Sequence, residues 1–235
     1  MTYNTRSCRG LDGRVDIARV ARVVREFSPD LLLLQEVDVG EAGNGGVDQA
    51  LVLASELRMV SHFTRAFSRE SGHYGIAMLA SNKLSIEREG CLPRGRDEVR
   101  AAQWARLLVG DLEVDVVHTH LSVRTRERQL QLELLLGEDW LKSRLSHPHL
   151  IVCGDLNAMP HSRVYRTLGK VLQDAQRVCP GRNLPTWPSW APFARIDHVF
   201  VGRGFQVQRC QVPWTRLTAV ASDHLPLLVD LLVMP

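Results

Sequence analysis

Five short polar clusters in this sequence sit directly beside apolar runs, and their side chains are of the kinds that bind cations and move protons. Leu31-Leu32-Leu33-Leu34 leads into Gln35-Glu36, and Val116-Val117 leads into His118 and His120. Residues 150–153 lead into Gly154, Asp155 and Asn157; Arg195, Asp197 and His198 open a late apolar segment; Ser222, Asp223 and His224 precede the last one. Alternate residues of a strand share a face, so His118 with His120, or Asp155 with Asn157, can point together into a cleft. Carboxylates gathered at strand ends repel one another unless a cation lies among them. Oxygen donors with few sulfurs and few imidazoles suit Mg²⁺ or Mn²⁺ better than Zn²⁺.

Each cluster also has a purely structural explanation. Gln-Glu can end a strand in solvent, Gly-Asp-Leu-Asn can be a turn closed by local Asx hydrogen bonds, and Ser-Asp-His can cap a loop. All five falling at strand ends points to a site.

The elements that must position these residues are legible in outline. Residues 13–27 repeat apolar positions at helical spacing and stop at Ser28-Pro29-Asp30, and residues 47–58 form a second helical stretch. The run 31–34 has the pattern of a strand buried on both faces. Shorter strand patterns follow at 75–79, 85–89, 103–109 and 112–118. The pattern over 127–145 predicts the longest helix. Strands at 150–153, 196–201, 205–212 and 227–232 complete the set. Several strands succeed one another with no helix between them, which favours sheets packed face to face with helices outside over a doubly wound fold.

The 235 residues, with 45% hydrophobic and 23% charged side chains, match an ordinary globular chain, and no linker or repeat divides them, so one domain over 1–235 is expected. The net charge of +3 is compatible with a phosphate-bearing substrate without indicating nucleic acid. Five cysteines without a CxxC pair argue against a disulfide framework or zinc site. No apolar stretch is long enough to span a membrane, and no signal-peptide pattern stands at the N-terminus. A cytoplasmic monomer without membrane insertion is the expectation.

The succession Tyr3-Asn4, Leu34-Gln35-Glu36-Val37-Asp38, His118-Thr119-His120-Leu121, Gly154-Asp155-Leu156-Asn157, Arg195-Ile196-Asp197-His198 and Ser222-Asp223-His224 resembles the endonuclease/exonuclease/phosphatase superfamily. That group includes deoxyribonucleases of the pancreatic type, abasic-site endonucleases, inositol polyphosphate 5-phosphatases and neutral sphingomyelinases. The resemblance implies a four-layered α-β-β-α sandwich with the site at one edge. It implies hydrolysis of a phosphodiester, or of a phosphomonoester, by in-line attack of water activated by Asp155, with Mg²⁺ or Mn²⁺ as cofactor.

Glu36 resembles the principal metal ligand, with Asn4 and Asp223 completing the metal set. Asn157 resembles a phosphate-oxygen donor, and His120 stands where relatives place a histidine beside the leaving group. Asp223 and His224 resemble the closing pair, with the imidazole protonated, and Asp197 resembles the carboxylate that partners a histidine. Arg128 and Gln131 match a recurring Arg-x-x-Gln. Arg100 and Trp187 are further expected substrate contacts, whereas Trp104 and Trp140 read as packing. Only Met1 and Thr2 precede Tyr3, so Asn4 is expected to be loosely held on a short strand, unless that strand begins upstream.

Substrate identity is open at this level. A nuclease should present a basic stripe or an aromatic platform, and a sphingomyelinase an exposed apolar hairpin. The arginines are dispersed, and no such hairpin is evident. A nuclease and a phospholipid or sphingomyelin-type phosphodiesterase stay as alternatives. From another class, so does a catalytically inactive binding module of the same fold.

Overall fold

Period-two alternation decides which way each strand faces, and the computed structural model, which describes residues 1–179 and 184–234, shows the outcome. The strands are β1 (Thr2–Asn4), β2 (Leu31–Val39), β3 (Val60–Ser68), β4 (His73–Ala80), β5 (Ser85–Cys91), β6 (Ala101–Val109), β7 (Leu112–His120), β8 (Leu150–Asp155), β9 (Gln173–Asp174), β10 (Asp197–Val201), β11 (Phe205–Gln211) and β12 (Leu228–Val233). The helices are α1 (Ile17–Arg25), α2 (Gln49–Leu57), α3 (Thr125–Leu135), α4 (Arg163–Leu168), α5 (Ala175–Val178) and α6 (Arg216–Ala221).

One sheet runs β1-β2-β4-β3, and the other runs β5-β6-β7-β8-β10-β9. The β11-β12 ribbon joins the first through a Thr2–Leu227 bridge. Leu33, Met78, Val116, Cys153 and Val199 fill the space between the sheets. Leu32 and Leu34, one residue out of phase, pack instead with Val20, Val24 and Leu53 of α1 and α2. Val117, Val152 and Phe200 cover the far face of the second sheet beneath Leu132, Leu135 and Tyr165 of α3 and α4. The result is the α-β-β-α layering expected from the motifs. Trp140 is buried in the outer cluster, with Trp104 packed against it.

Several boundaries differ from the sequence expectation for identifiable reasons. The first helix begins at Ile17 because the Asp16 carboxylate caps it, accepting from Arg19 N at 2.8 Å. The pattern over 127–145 is a helix only to Leu135. The chain then turns at Gly137, whose N–H bonds Leu134 O, and folds Trp140 and Leu141 back into the core. Strand β3 had no apolar signature because it is an edge strand with several polar side chains.

A polar layer crosses the inter-sheet core. His118 lies between Gln35 Nε2 at 2.6 Å and Gln103 Nε2 at 2.9 Å, and Gln103 accepts from Thr64 Oγ1. Burial pushes the His118 pKa down to about 3, and burial together with Arg195 pushes that of His198 down to about 4. Unfolded imidazoles bind protons near pH 6.5, well above these folded values. The stabilisation from keeping both rings neutral is therefore complete above pH 6.5 and is lost as pH falls towards 4. The slope is at most about 1.4 kcal/mol per pH unit for each ring. Urea unfolding of wild type should accordingly lose stability more steeply between pH 6.5 and 4.5 than that of His118→Gln, and equal slopes would contradict the assignment.

Candidate active site

Strand register brings three of the sequence-predicted residues into one cross-strand row. His120 is paired with Asp155 across β7 and β8, and Asp155 with Asp197 across β8 and β10. All three side chains point between the sheets at the same end of the sandwich. Gly154, just before Asp155, has φ +137°, and a Cβ there would lie 1.8 Å from Thr119 O of the neighbouring strand. Only glycine lets β8 approach β7 closely enough to set the row.

Asp155 is buried, and each of its oxygens has a donor. Oδ1 accepts from Asn157 N at 2.9 Å and Oδ2 from Asn4 Nδ2 at 3.1 Å. His120 Nε2 lies 3.5 Å, and His224 Nε2 3.7 Å, from Oδ2. Burial first, and the Asp197 carboxylate second, push the Asp155 pKa up to about 7. Asn157, at φ +48°, turns back so that its amide donates to Leu121 O at 2.9 Å and lies 3.3 Å from His120 Nε2.

Arg100 fixes the state of His120. Its Nη1 is 3.2 Å from His120 Nδ1, and a guanidinium can only donate, so Nδ1 must accept. The neutral ring therefore carries its proton on Nε2, facing the cleft. Burial and the Arg100 charge both push the His120 pKa well below its ordinary value, which keeps the ring neutral.

Glu36 arrives by a different device. Continued alternation would turn it beneath the helices with Leu34. A β-bulge between Gln35 and Val37, with Glu36 at φ +57°, swings it to the sheet edge instead. β2 continues through this bulge to Val39, so Glu36 lies within the strand and not at its end. Asn4 spans the two carboxylates: Nδ2 donates to Glu36 Oε1 at 2.9 Å as well as to Asp155, while Oδ1 accepts Arg6 N at 3.1 Å. Although β1 has only three residues, Asn4 is buried and held at both ends of its amide, contrary to the expectation of a loose residue. Burial raises the Glu36 pKa, and Asp223 adds to the shift.

His224 lies between two acids. Its Nδ1 is 2.9 Å from Asp197 Oδ2, and Nε2 faces Asp155. Burial opposes its charge, but Asp197, Asp155 and Asp223 together outweigh burial and raise the pKa to about 10. The imidazolium is the resident cation of this end of the site. Thr186 Oγ1 donates a short hydrogen bond to the same Asp197 oxygen, and Ser222 Oγ donates to Asn4 O at 2.7 Å. The sequence marks Ser222 only as the first residue of the Ser222-Asp223-His224 cluster, and Thr186 carries no distinguishing pattern there.

Residues 1–224 match the sequence model of the Endonuclease/Exonuclease/phosphatase family. The chain belongs to that family. The family is one of phosphoester hydrolases. The chain is 31% identical over 126 residues to a 5'-tyrosyl-DNA phosphodiesterase of Caenorhabditis elegans, an alignment that spans 52% of this chain and 32% of that protein. It is similar in fold to an endonuclease/exonuclease/phosphatase from Bacteroides vulgatus, with a TM-score of 0.75 at 22% identity over 92% of this chain and 90% of that one. The human Nocturnin catalytic domain with bound sulfate gives a TM-score of 0.70 at 22% identity over 92% and 86% of the two chains.

Within this family member, three residues expected at the substrate are placed differently from one another. Arg100 is buried against His120 and Tyr74 Oη. Arg128 donates to Ser122 O and Val123 O, and to Thr125 Oγ1 at 3.1 Å, so its guanidinium braces the loop between β7 and α3. Trp187 is half-buried, edge-on to Phe193 at 5.7 Å in a turn, and the more exposed rings there are Trp190 and Phe193. No helix among the described residues is long and apolar enough to cross a membrane.

Proposed function

We propose that this protein is a divalent-metal-dependent phosphodiesterase that hydrolyses its substrate by in-line attack of a water activated by Asp155. The observation that carries this reading is the buried Asp155 carboxylate, ringed by Asn4, Asn157, His120 and His224 and flanked by Glu36 across the Asn4 amide. That set supplies a base, donors for phosphoryl oxygens and an oxygen ligand for a cation in one place.

Two places could hold the cation. Asp155, Asp197 and His224 each offer a ligand atom within 4.8 Å of the others. The imidazolium already balances those carboxylates, and its Nδ1 is committed to Asp197. Glu36 makes no ion pair among the described residues; burial and the Asp223 charge oppose its ionisation, while the His224 and Arg100 charges favour it from a distance. We therefore assign the metal to Glu36 with Asp223. Asn4, whose amide oxygen is taken by Arg6 N–H, aligns Glu36 with Asp155. These hard oxygen donors fit Mg²⁺ or Mn²⁺, which when bound would offset charge on the phosphoryl oxygens and on the leaving oxygen.

The chain's own groups do the rest. Asp155 Oδ2 takes the proton as the water oxygen bonds to phosphorus and the bond to the leaving oxygen breaks. His224 and Asn157 donate to non-bridging oxygens. His120 Nε2–H faces the leaving group, with its tautomer set by Arg100.

Bis-p-nitrophenyl phosphate and p-nitrophenyl phosphate, each with Mg²⁺ or Mn²⁺, separate diester from monoester chemistry. Release from the diester at a rate well above the monoester is expected. No release from either compound in any metal would favour the inactive binding module.

A further inference from the structure

Next to Glu36 a cavity of about 320 Å³ is lined by residues that include Arg6, Arg9, Arg69, Tyr74, Glu36 and Glu98. It shares Glu36 with the cluster described above and touches none of Asp155, Asn157, His120 or His224. We propose that this cavity is a second anion subsite, which binds a phosphate carried by the substrate next to the scissile one. The proposal rests on the phosphodiesterase reading for the word substrate, while the binding itself can be tested without turnover.

Two of the three guanidiniums are fixed before any ligand arrives, and one buried carboxylate fixes both. Arg69 Nη1 donates to Asp38 Oδ1 at 2.9 Å. Asn44 Nδ2 makes a short bond to the other Asp38 oxygen, and Asn44 Oδ1 accepts Arg9 Nη2 at 2.8 Å. Arg9 Nη1 is held by Gly13 O at 2.8 Å. Arg69 also lies over the Tyr74 ring at 4.8 Å, which leaves its planar fork little freedom.

Arg6 is presented by unusual backbone. Arg6, Ser7 and Cys8 follow one another at φ +50°, +52° and +56°, a left-handed turn that non-glycine residues seldom adopt. Asn4 Oδ1 accepts Arg6 N, Glu36 O accepts Ser7 N at 2.7 Å, and Ser7 O accepts Gln49 Nε2 at 2.8 Å, so the turn is anchored to the site. Among the described residues Arg6 has no ion-pair partner, and Glu98 is engaged by Arg100 at 3.4 Å. Three guanidiniums thus face one cavity with a single carboxylate, Asp38, committed to them. The chemistry that fits is a multiply charged oxyanion taken by charge-assisted, bidentate hydrogen bonds. A second phosphate can come from the next link of a nucleic-acid strand or from a polyphosphorylated polyol.

Arg6→Gly is the diagnostic variant, since glycine adopts φ +50° without strain and the change removes the side chain with its guanidinium while leaving the backbone N–H that Asn4 accepts. Calorimetric titration in Mg²⁺ buffer with thymidine 5′-monophosphate, thymidine 3′,5′-bisphosphate and inositol 1,4-bisphosphate reads the subsite directly. Wild type should bind at least one bisphosphate about tenfold more tightly than the monophosphate, and Arg6→Gly should erase most of that advantage. A preference for the thymidine compound identifies a strand as the source, and a preference for the inositol compound a polyol. Equal binding of mono- and bisphosphates by wild type, or an advantage that survives Arg6→Gly, overturns the proposal. An Arg6-dependent advantage in a protein that cleaves no diester would leave the subsite standing and remove the phosphodiesterase reading.

Discussion

Asp155→Asn is expected to lower kcat for a phosphodiester by about a thousandfold while the protein stays folded. The substitution keeps the shape of the side chain and removes its capacity to take a proton. It also reverses one hydrogen-bonding position. Asn4 Nδ2 and Asn157 N both donate to Asp155, and Asn4 cannot turn its amide over because Arg6 N–H holds the oxygen. An amide nitrogen at position 155 must therefore meet a donor, either at Asn4 or at Asn157, and the attacking water loses its acceptor. Steady-state rates with the diester, read beside thermal melting, test this. A folded variant with near-normal kcat would exclude Asp155 as the base.

Glu36→Gln should act through the cation. We expect kcat/KM to fall by about a hundredfold to a thousandfold, with the Mg²⁺ or Mn²⁺ concentration needed for half-maximal rate moving upward. The carboxylate is half-buried, burial and Asp223 oppose its ionisation more than His224 and Arg100 favour it, and among the described residues its side-chain donor is the Asn4 amide. A bound cation would relieve that unfavourable state, whereas a neutral amide offers it one weak ligand. The metal titration distinguishes the two variants. Asp155→Asn should leave the half-saturating metal concentration nearly unchanged, and Glu36→Gln should shift it. Identical metal curves for wild type and Glu36→Gln would move the cation elsewhere, with the Asp155, Asp197 and His224 group as the first candidate.

The sequence made the residue types of the site readable, along with their attachment to buried strands. His120, Asp155 and Asp197 could be expected to converge because each adjoins an apolar run, and the strand register then puts them in one row. The route taken by Glu36 was hidden. A bulge depends on what the partner strand allows, and here Gly75 faces the bulges of both its neighbours, β2 and β3. The edge strand β3 was missed because its polar side chains break the apolar pattern, and the short helices α4, α5 and α6 because so few residues give no reliable period. The over-long helix at 127–145 reflects the opposite error, since buried Trp140 and Leu141 satisfy a helical pattern while sitting in a turn. Arg128 matched a motif, and its Nη1 bonds to two loop carbonyls are local geometry that no spacing reveals. Thr186 and Ser222 position Asp197 and Asn4 by single hydroxyl bonds, contacts that only the folded chain brings together.

The most direct test of the account is the metal dependence of diester cleavage in one preparation of wild-type protein. After exhaustive treatment with EDTA and its removal, bis-p-nitrophenyl phosphate should be stable in the presence of the enzyme. Adding Mg²⁺ or Mn²⁺ alone should restore hydrolysis, with the restored rate abolished by Asp155→Asn. Hydrolysis that persists undiminished in the stripped protein, or that no divalent cation restores, would contradict the account at its centre.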